Sequence, residues 1–301
     1  SKKLSFLIKS GNDQFYIKKG KWKVTEPIIV NGNLNINDEV ELAFGNDALL
    51  IVKGSIKIIG NKKNPIKLTS INDSWKGIYV ISQNKDKSFL KNVIIENINF
   101  TRLGILSLTG GISFYNSDIE INNLYILNSL AEDALNIINS NYKINGLKIK
   151  NTNSDGVDFD FSNGLISNSN FDNIGGDAID FSGSVADIKN TIIRNVEDKA
   201  ISVGENSKIR IDNAYINQTS IGVVSKDGSE TFITNSNIYD VKKYAVMTYF
   251  KKNFYTIPKM EISDTIIENP KLVLRQINTL MKIDNNEIKE KNINIKKLYE
   301  K

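Results

Sequence analysis

Aspartates recur along this chain at an interval that would bring them together. Asp180 follows Asp158 by about 22 residues, and Asp160 sits two places beyond Asp158. Asp133, Asp155 and Asp177 form a second series at the same interval, and that series ends at Lys199. If each interval is one coil of a stacked structure, members of a series lie about 4.8 Å apart. Like charges so placed repel. The repulsion must be offset by a raised pKa on one member, by a bound cation or by water. A protonated carboxyl beside an ionised one makes an acid/base pair suited to glycosidic bonds, and Asp158 and Asp180 are the candidates. Asp160 would share the face of Asp158, and Asp155 and Asp177 would stand at the strand's entrance, all three as binding groups. The same residues serve equally well as the polar side that any half-buried strand shows to water.

Composition removes other chemistries. The chain has no His and no Cys, so imidazole bases, thiol nucleophiles and the usual zinc ligand sets are excluded. The formal charge is +5 across 301 residues, carried mostly by scattered Lys. Only Arg102, Arg194, Arg210 and Arg275 could form bidentate forks, so no nucleic-acid partner is expected. No apolar run is long enough to span a membrane, and the first residues carry no signal sequence.

What must position the aspartates is a repeat. EDALNI (132–137), SDGVDFD (154–160), GDAIDF (176–181) and DKAISV (198–203) are successive copies, with echoes in SIGVVS (220–225) and KYAVMT (243–248). Between them run INNLYILN, INGLKIKN, ISNSNFDN, IKNTIIRN, IDNAYINQ and ITNSNIYD. A fixed period of this size with short alternating strands marks a solenoid. Alternation points Leu135, Ile137, Val157, Phe159, Ile179, Phe181, Ile201 and Val203 inward, and Asn136, Asp158, Asp180 and Ser202 outward. Two Asn columns mark turns: 123, 145, 168, 190, 213, 235, and 128, 151, 173, 195, 217 closing at Asp240. Asn tolerates the left-handed turn backbone, and its stacked amides can bond along the axis.

The expected layout is an N-terminal cap over residues 1–30, coils over 31–284, and a C-terminal cap or tail over 285–301 that shields the strand edges of the last rung. Extra residues interrupt the period between Asn97 and Gly110 and between Met247 and Ile262, and should emerge as flanking loops. The second insertion holds Tyr249, Phe254 and Tyr255 beside Lys251 and Lys252, a set suited to stacking on sugar rings or meeting an anionic polymer. Trp75 reads as packing.

These repeats, with the segment AFGNDALLIVKGSIKIIGNKKNPIKLTSINDSWKGIYV, resemble the right-handed parallel β-helix (pectate-lyase-like) superfamily over residues 25–285. The resemblance implies an all-β, single-stranded right-handed parallel β-helix with about 22 residues per rung, three parallel sheets and capped ends. It also implies calcium on Asp158, Asp160 and Asp180, with Lys199 or Lys226 as a base against an acidic sugar. The His and Arg-x-Lys elements of polygalacturonase-like hydrolases are missing, as is the Asp-Pro-His motif of alginate epimerases. EDALNI, GGDAIDFSGS and KLYE also resemble β-helix regions of microbial surface proteins that accompany spore-coat-kinase-like domains. No kinase glycine loop or catalytic motif is present, so phosphoryl transfer does not follow.

Three functions are compatible with these residues. The leading expectation is an extracellular or cell-surface module that presents an acidic strand face and flanking loops to a glycan or surface polymer, within a chain that could carry further domains. The alternatives are a polysaccharide lyase, using Asp158, Asp180 and a Lys base with or without calcium as its only cofactor, and a structural spacer.

Overall fold

The computed structural model describes residues 4–103 and 106–295. Parts of three expected segments therefore lie outside the described residues: 1–3 of the N-terminal cap, 104–105 of the first insertion and 296–301 of the tail. The chain forms two compact units, Ser1–Ser154 and Asp155–Lys301. Each is built of coils in a parallel β-helix, and no described helix is long and apolar enough to cross a membrane.

Among the described residues, each complete coil contributes one strand to each of three parallel sheets. In the second unit the first sheet stacks Asp155–Asp160, Ile179–Ser182, residues 201–204, 221–226 and 244–249, and Val273–Gln276. The second sheet runs from Asn163–Ser167 through 185–189, 208–212, Glu230–Thr234 and Lys259–Ser263 to Leu280–Ile283. The third runs from Asn170–Ile174 through 192–196, 215–219 and 237–241 to Ile266–Ile267. The first unit repeats this plan, with Ile28–Val30, Leu50–Val52, Ile78–Ile81, Gly110–Tyr115 and Asp133–Ile138 as its first sheet.

Alternation explains the core. Val157, Phe159, Ile179, Phe181, Ile201 and Val203 are fully buried, and Phe159 stacks on Phe181 at 5.1 Å with 14° between the rings. In the first unit Trp75 is buried, stacks on Phe44 at 4.0 Å and donates its indole N–H to the Glu96 carbonyl. The third residue of each repeat (Ala134, Gly156, Ala178, Ala200, Gly222, Ala245) is small because the next coil's backbone is close. A Cβ on Gly156 would meet the Ala178 carbonyl oxygen at 2.6 Å, and one on Gly222 would meet that of Ala245 at 2.2 Å.

The Asn ladders form, with two shifts. Asn123, Asn168, Asn190, Asn213 and Asn235 all have positive φ; Asn213 donates to Asn190 at 2.8 Å and Asn190 to Asn168 at 3.2 Å. Asn145, expected in this column, instead pairs with Asn122, and Gly146 takes the left-handed position. In the other column Gln218 rather than Asn217 occupies it, since Asn217 is in register with Arg194. A third ladder passed unnoticed in the sequence. The backbone N–H groups of Ser162, Ser184 and Ser207 donate to the hydroxyls of Ser184, Ser207 and Ser229, one coil further each time. All four serines are buried.

Coils begin before residue 31, because Gly20–Val24 already pairs in parallel with Val40–Phe44. An antiparallel hairpin of Leu7–Ser10 and Gln14–Ile17 borders them. The first insertion carries the antiparallel pair Thr101–Leu103 and Leu106–Leu108. At the other end Asn286–Glu287 pairs antiparallel with Leu280–Ile283. The chain then returns to the outer side of the first sheet, where Ile293 and Ile295 pack on Val224, Met247 and Leu274.

Candidate functional site

The outward column of the first sheet reads Asp158, Asp180, Ser202, Val224, Met247, Leu274 in register. Its chemistry therefore passes from acidic through polar to apolar. Asp158 and Asp180 are half-buried, as expected of an outer face. Ser202 was expected outward and is fully buried, because the Lys226 side chain lies over it.

Lys226 belongs to the next coil and reaches back. Its Nζ donates to Ser202 Oγ at 2.8 Å and lies 4.0 Å from Asp180 Oδ1. The path crosses Gly204, where a Cβ would stand 2.7 Å from Lys226 Cε. Only a residue without a side chain lets the lysine lie flat there.

The entrance series behaves differently. Asp155 Oδ1 accepts the backbone N–H of Asp177 at 2.8 Å, and Asp177 Oδ1 accepts that of Lys199 at 3.0 Å. The Lys199 ammonium donates to both Asp177 oxygens, at 3.1 and 3.3 Å, and to Asp198 Oδ2 at 2.7 Å. Stacked aspartates are thus tolerated because each carboxylate caps the next coil and an ammonium closes the series. Asp177 and Lys199 are both buried. Burial pushes the Asp177 carboxyl up to about 7, against the pull of Lys199. Lys199, expected as a base against an acidic sugar, is buried with its ammonium hydrogen-bonded to Asp177 and Asp198.

The carboxylates that converge are Asp155, Asp177 and Asp180, whose oxygens lie within 4.8 Å of one another. Asp158 and Asp160, expected with Asp180 as calcium ligands, do not join that group; Asp160 is in register with Ser182. The triad spans about twice a calcium–oxygen distance of ~2.4 Å, but Lys199 and Lys226 already place two ammonium groups against it. The donor set does not fit a calcium ion while both lysines are charged and in place.

The second insertion supplies the rest. Asp227, fully buried, accepts the backbone N–H groups of Lys251 and Lys252 at 2.7 and 2.8 Å. Gln276 accepts that of Phe250, and Lys252 pairs with Glu205. The loop so anchored carries Lys251, whose side chain is exposed. Partial burial and the charges of Lys226, Lys199 and Lys252 hold the Lys251 amine below the ordinary lysine value, with Asp180 acting in the other direction. Phe254 is 80% exposed, its ring 4.7 Å from that of the half-buried Tyr255. Tyr249, expected as a binding aromatic, is 1% exposed and packs with Ile221, Val224, Met247 and Leu274. It ends a strand and is not in the loop, so its ring cannot stack on a ligand.

Sequence reasoning named Asp177, Asp180, Lys199 and Lys226, which the fold brings together. It gave Lys251 only as a neighbour of aromatics and Ser202 only as an outward position, and missed Gly204, Asp198 and Asp227. Spacing could have found Gly204, since 204 precedes 226 by one coil.

The family described as "Right handed beta helix region" matches residues 133–295. No curated protein matches the sequence. Among solved structures, the periplasmic alginate epimerase AlgG is 10% identical with a TM-score of 0.44, covering 92% of this chain and 79% of its own. The Azotobacter vinelandii mannuronan C-5 epimerase AlgE4 A-module is 13% identical with a TM-score of 0.43, covering 93% and 85%. The catalytic domain of a GH87 alpha-1,3-glucanase is 12% identical with a TM-score of 0.49, covering 91% of this chain and 64% of its own. Similarity this low carries no argument about activity.

Proposed function

Because the chain belongs to the right-handed β-helix family, we propose that its second unit is a glycan-recognition module for an acidic polysaccharide. The observation that carries this reading is the Lys226 ammonium held 4.0 Å from Asp180, with a loop fastened by Asp227 that carries Lys251 and the solvent-exposed Phe254 ring. A sugar carboxylate would sit between the two ammonium groups. Sugar hydroxyls would donate to Asp180 and Asp158, and Phe254 would stack on a ring face. Placement outside the cell, where such polymers are met, belongs to the same proposal. The test is calorimetric titration with oligogalacturonate, oligomannuronate and a neutral glucan oligomer. Binding of a uronate oligomer that is lost in Lys226→Met and Lys251→Met supports the reading. Equal binding of the neutral oligomer, or of the variants, sinks it.

A second reading rests on the lowered Lys251 amine. A lysine whose pKa is lowered holds more of its neutral amine and so suits the role of a general base. It would take the proton from the carbon beside the uronate carboxylate. The electron pair would form a carbon–carbon double bond, and the glycosidic oxygen would leave with a proton from water. Ultraviolet absorbance of the unsaturated ends, absent in Lys251→Met, would place the chain among lyases; a flat trace with intact binding leaves the module reading alone.

A further inference from the structure

Three carboxylates within 4.8 Å form a cation site in shape, and the cations present are the protein's own. Lys199 and Lys226 are both buried, each held by hydrogen bonds that fix its head: Lys199 on Asp177 and Asp198, Lys226 on Ser202. Lys226 is further constrained by lying flat across Gly204. A divalent ion entering the triad would have to share Asp177 and Asp180 with two tethered positive charges. At a pH where Asp177 is ionised, removing one ammonium reverses that balance, since an uncompensated buried carboxylate then needs a new counter-charge.

We propose that Lys199 and Lys226 are built-in counter-ions that replace a divalent cation at Asp155, Asp177 and Asp180, so that the face works without metal and a calcium-type site stays latent beneath them. The proposal deepens the module reading by naming the cation at that face. Its test reads cation binding and not glycan binding, so either can fail alone.

The full chain is titrated with terbium, followed by sensitised emission, and melted with and without millimolar calcium. The expected result is no saturable terbium site and no calcium-dependent shift in Tm for the natural protein. Lys199→Met should melt several degrees lower, acquire a saturable terbium site and recover part of its lost Tm when calcium is added. Asp177→Asn combined with Lys199→Met should recover Tm without calcium and bind no terbium, because the uncompensated charge is gone. If Lys199→Met does not fold, Lys226→Gln, whose Asp180 is partly hydrated, is read for the same gain. Calcium binding by the natural protein that is lost in Asp177→Asn overturns the proposal. So does a folded Lys199→Met or Lys226→Gln protein that gains no cation affinity.

Discussion

Gly204→Ala separates a requirement of the site from a requirement of the fold. Gly204 lies in a regular strand with an ordinary backbone, so alanine is allowed there and gains about 0.4–1 kcal/mol by restricting the unfolded chain. Its methyl would stand 2.7 Å from Lys226 Cε and 3.4 Å from Lys226 Cγ, against an optimal carbon separation of about 3.5–4.0 Å. The atom in the way belongs to the end of a flexible side chain, so the lysine moves and the coil stays. Its head leaves Ser202, and a hydrogen bond to a charged group contributes roughly 1.5–3 kcal/mol. The net loss of stability is then about 1–2 kcal/mol. If the same ammonium meets a sugar carboxylate, affinity should fall about tenfold or more, since each ~1.4 kcal/mol is a factor of ten. Calorimetry on Gly204→Ala, Lys226→Met and the double variant measures this. The double variant should bind no more weakly than Lys226→Met alone, because both changes remove one group. Additive losses, or natural affinity in Gly204→Ala beside a clear loss in Lys226→Met, would refute the argument.

Other perturbations test other links. Asp177 has an ordinary value of 3.8 raised to about 7 in the fold, so between these values the folded chain holds a proton that the unfolded chain does not. Stability should therefore fall as pH rises through that window and level off above it; denaturant titrations should show the slope in the natural protein and a shallower one in Asp177→Asn. Phe181→Ala removes half of the Phe159 stack from a fully buried position and should cost about 3–5 kcal/mol, with native-like melting as the contrary result. Asp158→Asn relieves repulsion from Asp180 in the adjacent coil and should leave Tm unchanged or raise stability by ~0.5 kcal/mol; a clear fall would show that the Asp158 charge is needed.

The coils were legible because a two-residue alternation and a fixed interval leave few other folds. Val157, Phe159, Ile179 and Phe181 could be assigned inward from their neighbours alone. The Asn columns slipped at 145 and 217 because side-chain identity does not reveal which of two adjacent residues takes positive φ; Gly146 and Gln218 do. The serine ladder was hidden because serine is common in loops, and only coil stacking shows Ser162, Ser184, Ser207 and Ser229 to be one column. The burial of Val224 and Met247 had a signal that was not used. Val223-Val224 and Ala245-Val246-Met247 break the alternation, and consecutive apolar residues mean that both faces of the strand are covered. The reach of Lys226 had none, since a long side chain can lie on either neighbouring coil.

That last point bears on how such a fold makes a site. Each coil contributes one outward residue per position, so a column offers no depth and no convergence by itself. Convergence here comes from departures from the column. Lys226 crosses a glycine to the coil before it, Lys199 turns onto Asp177, and Asp227 fastens the loop that carries Lys251. The same column also limits the face. Beyond Ser202 it becomes Val224, Met247 and Leu274, and Ile293 and Ile295 cover these positions. Within the second unit, a polymer lying along the first sheet would therefore meet open polar surface at Asp158 and Asp180 and stop against the apolar cover past Lys226. The chemistry is concentrated where the column changes character, because only there do a charge from one coil and a gap in the next occur together.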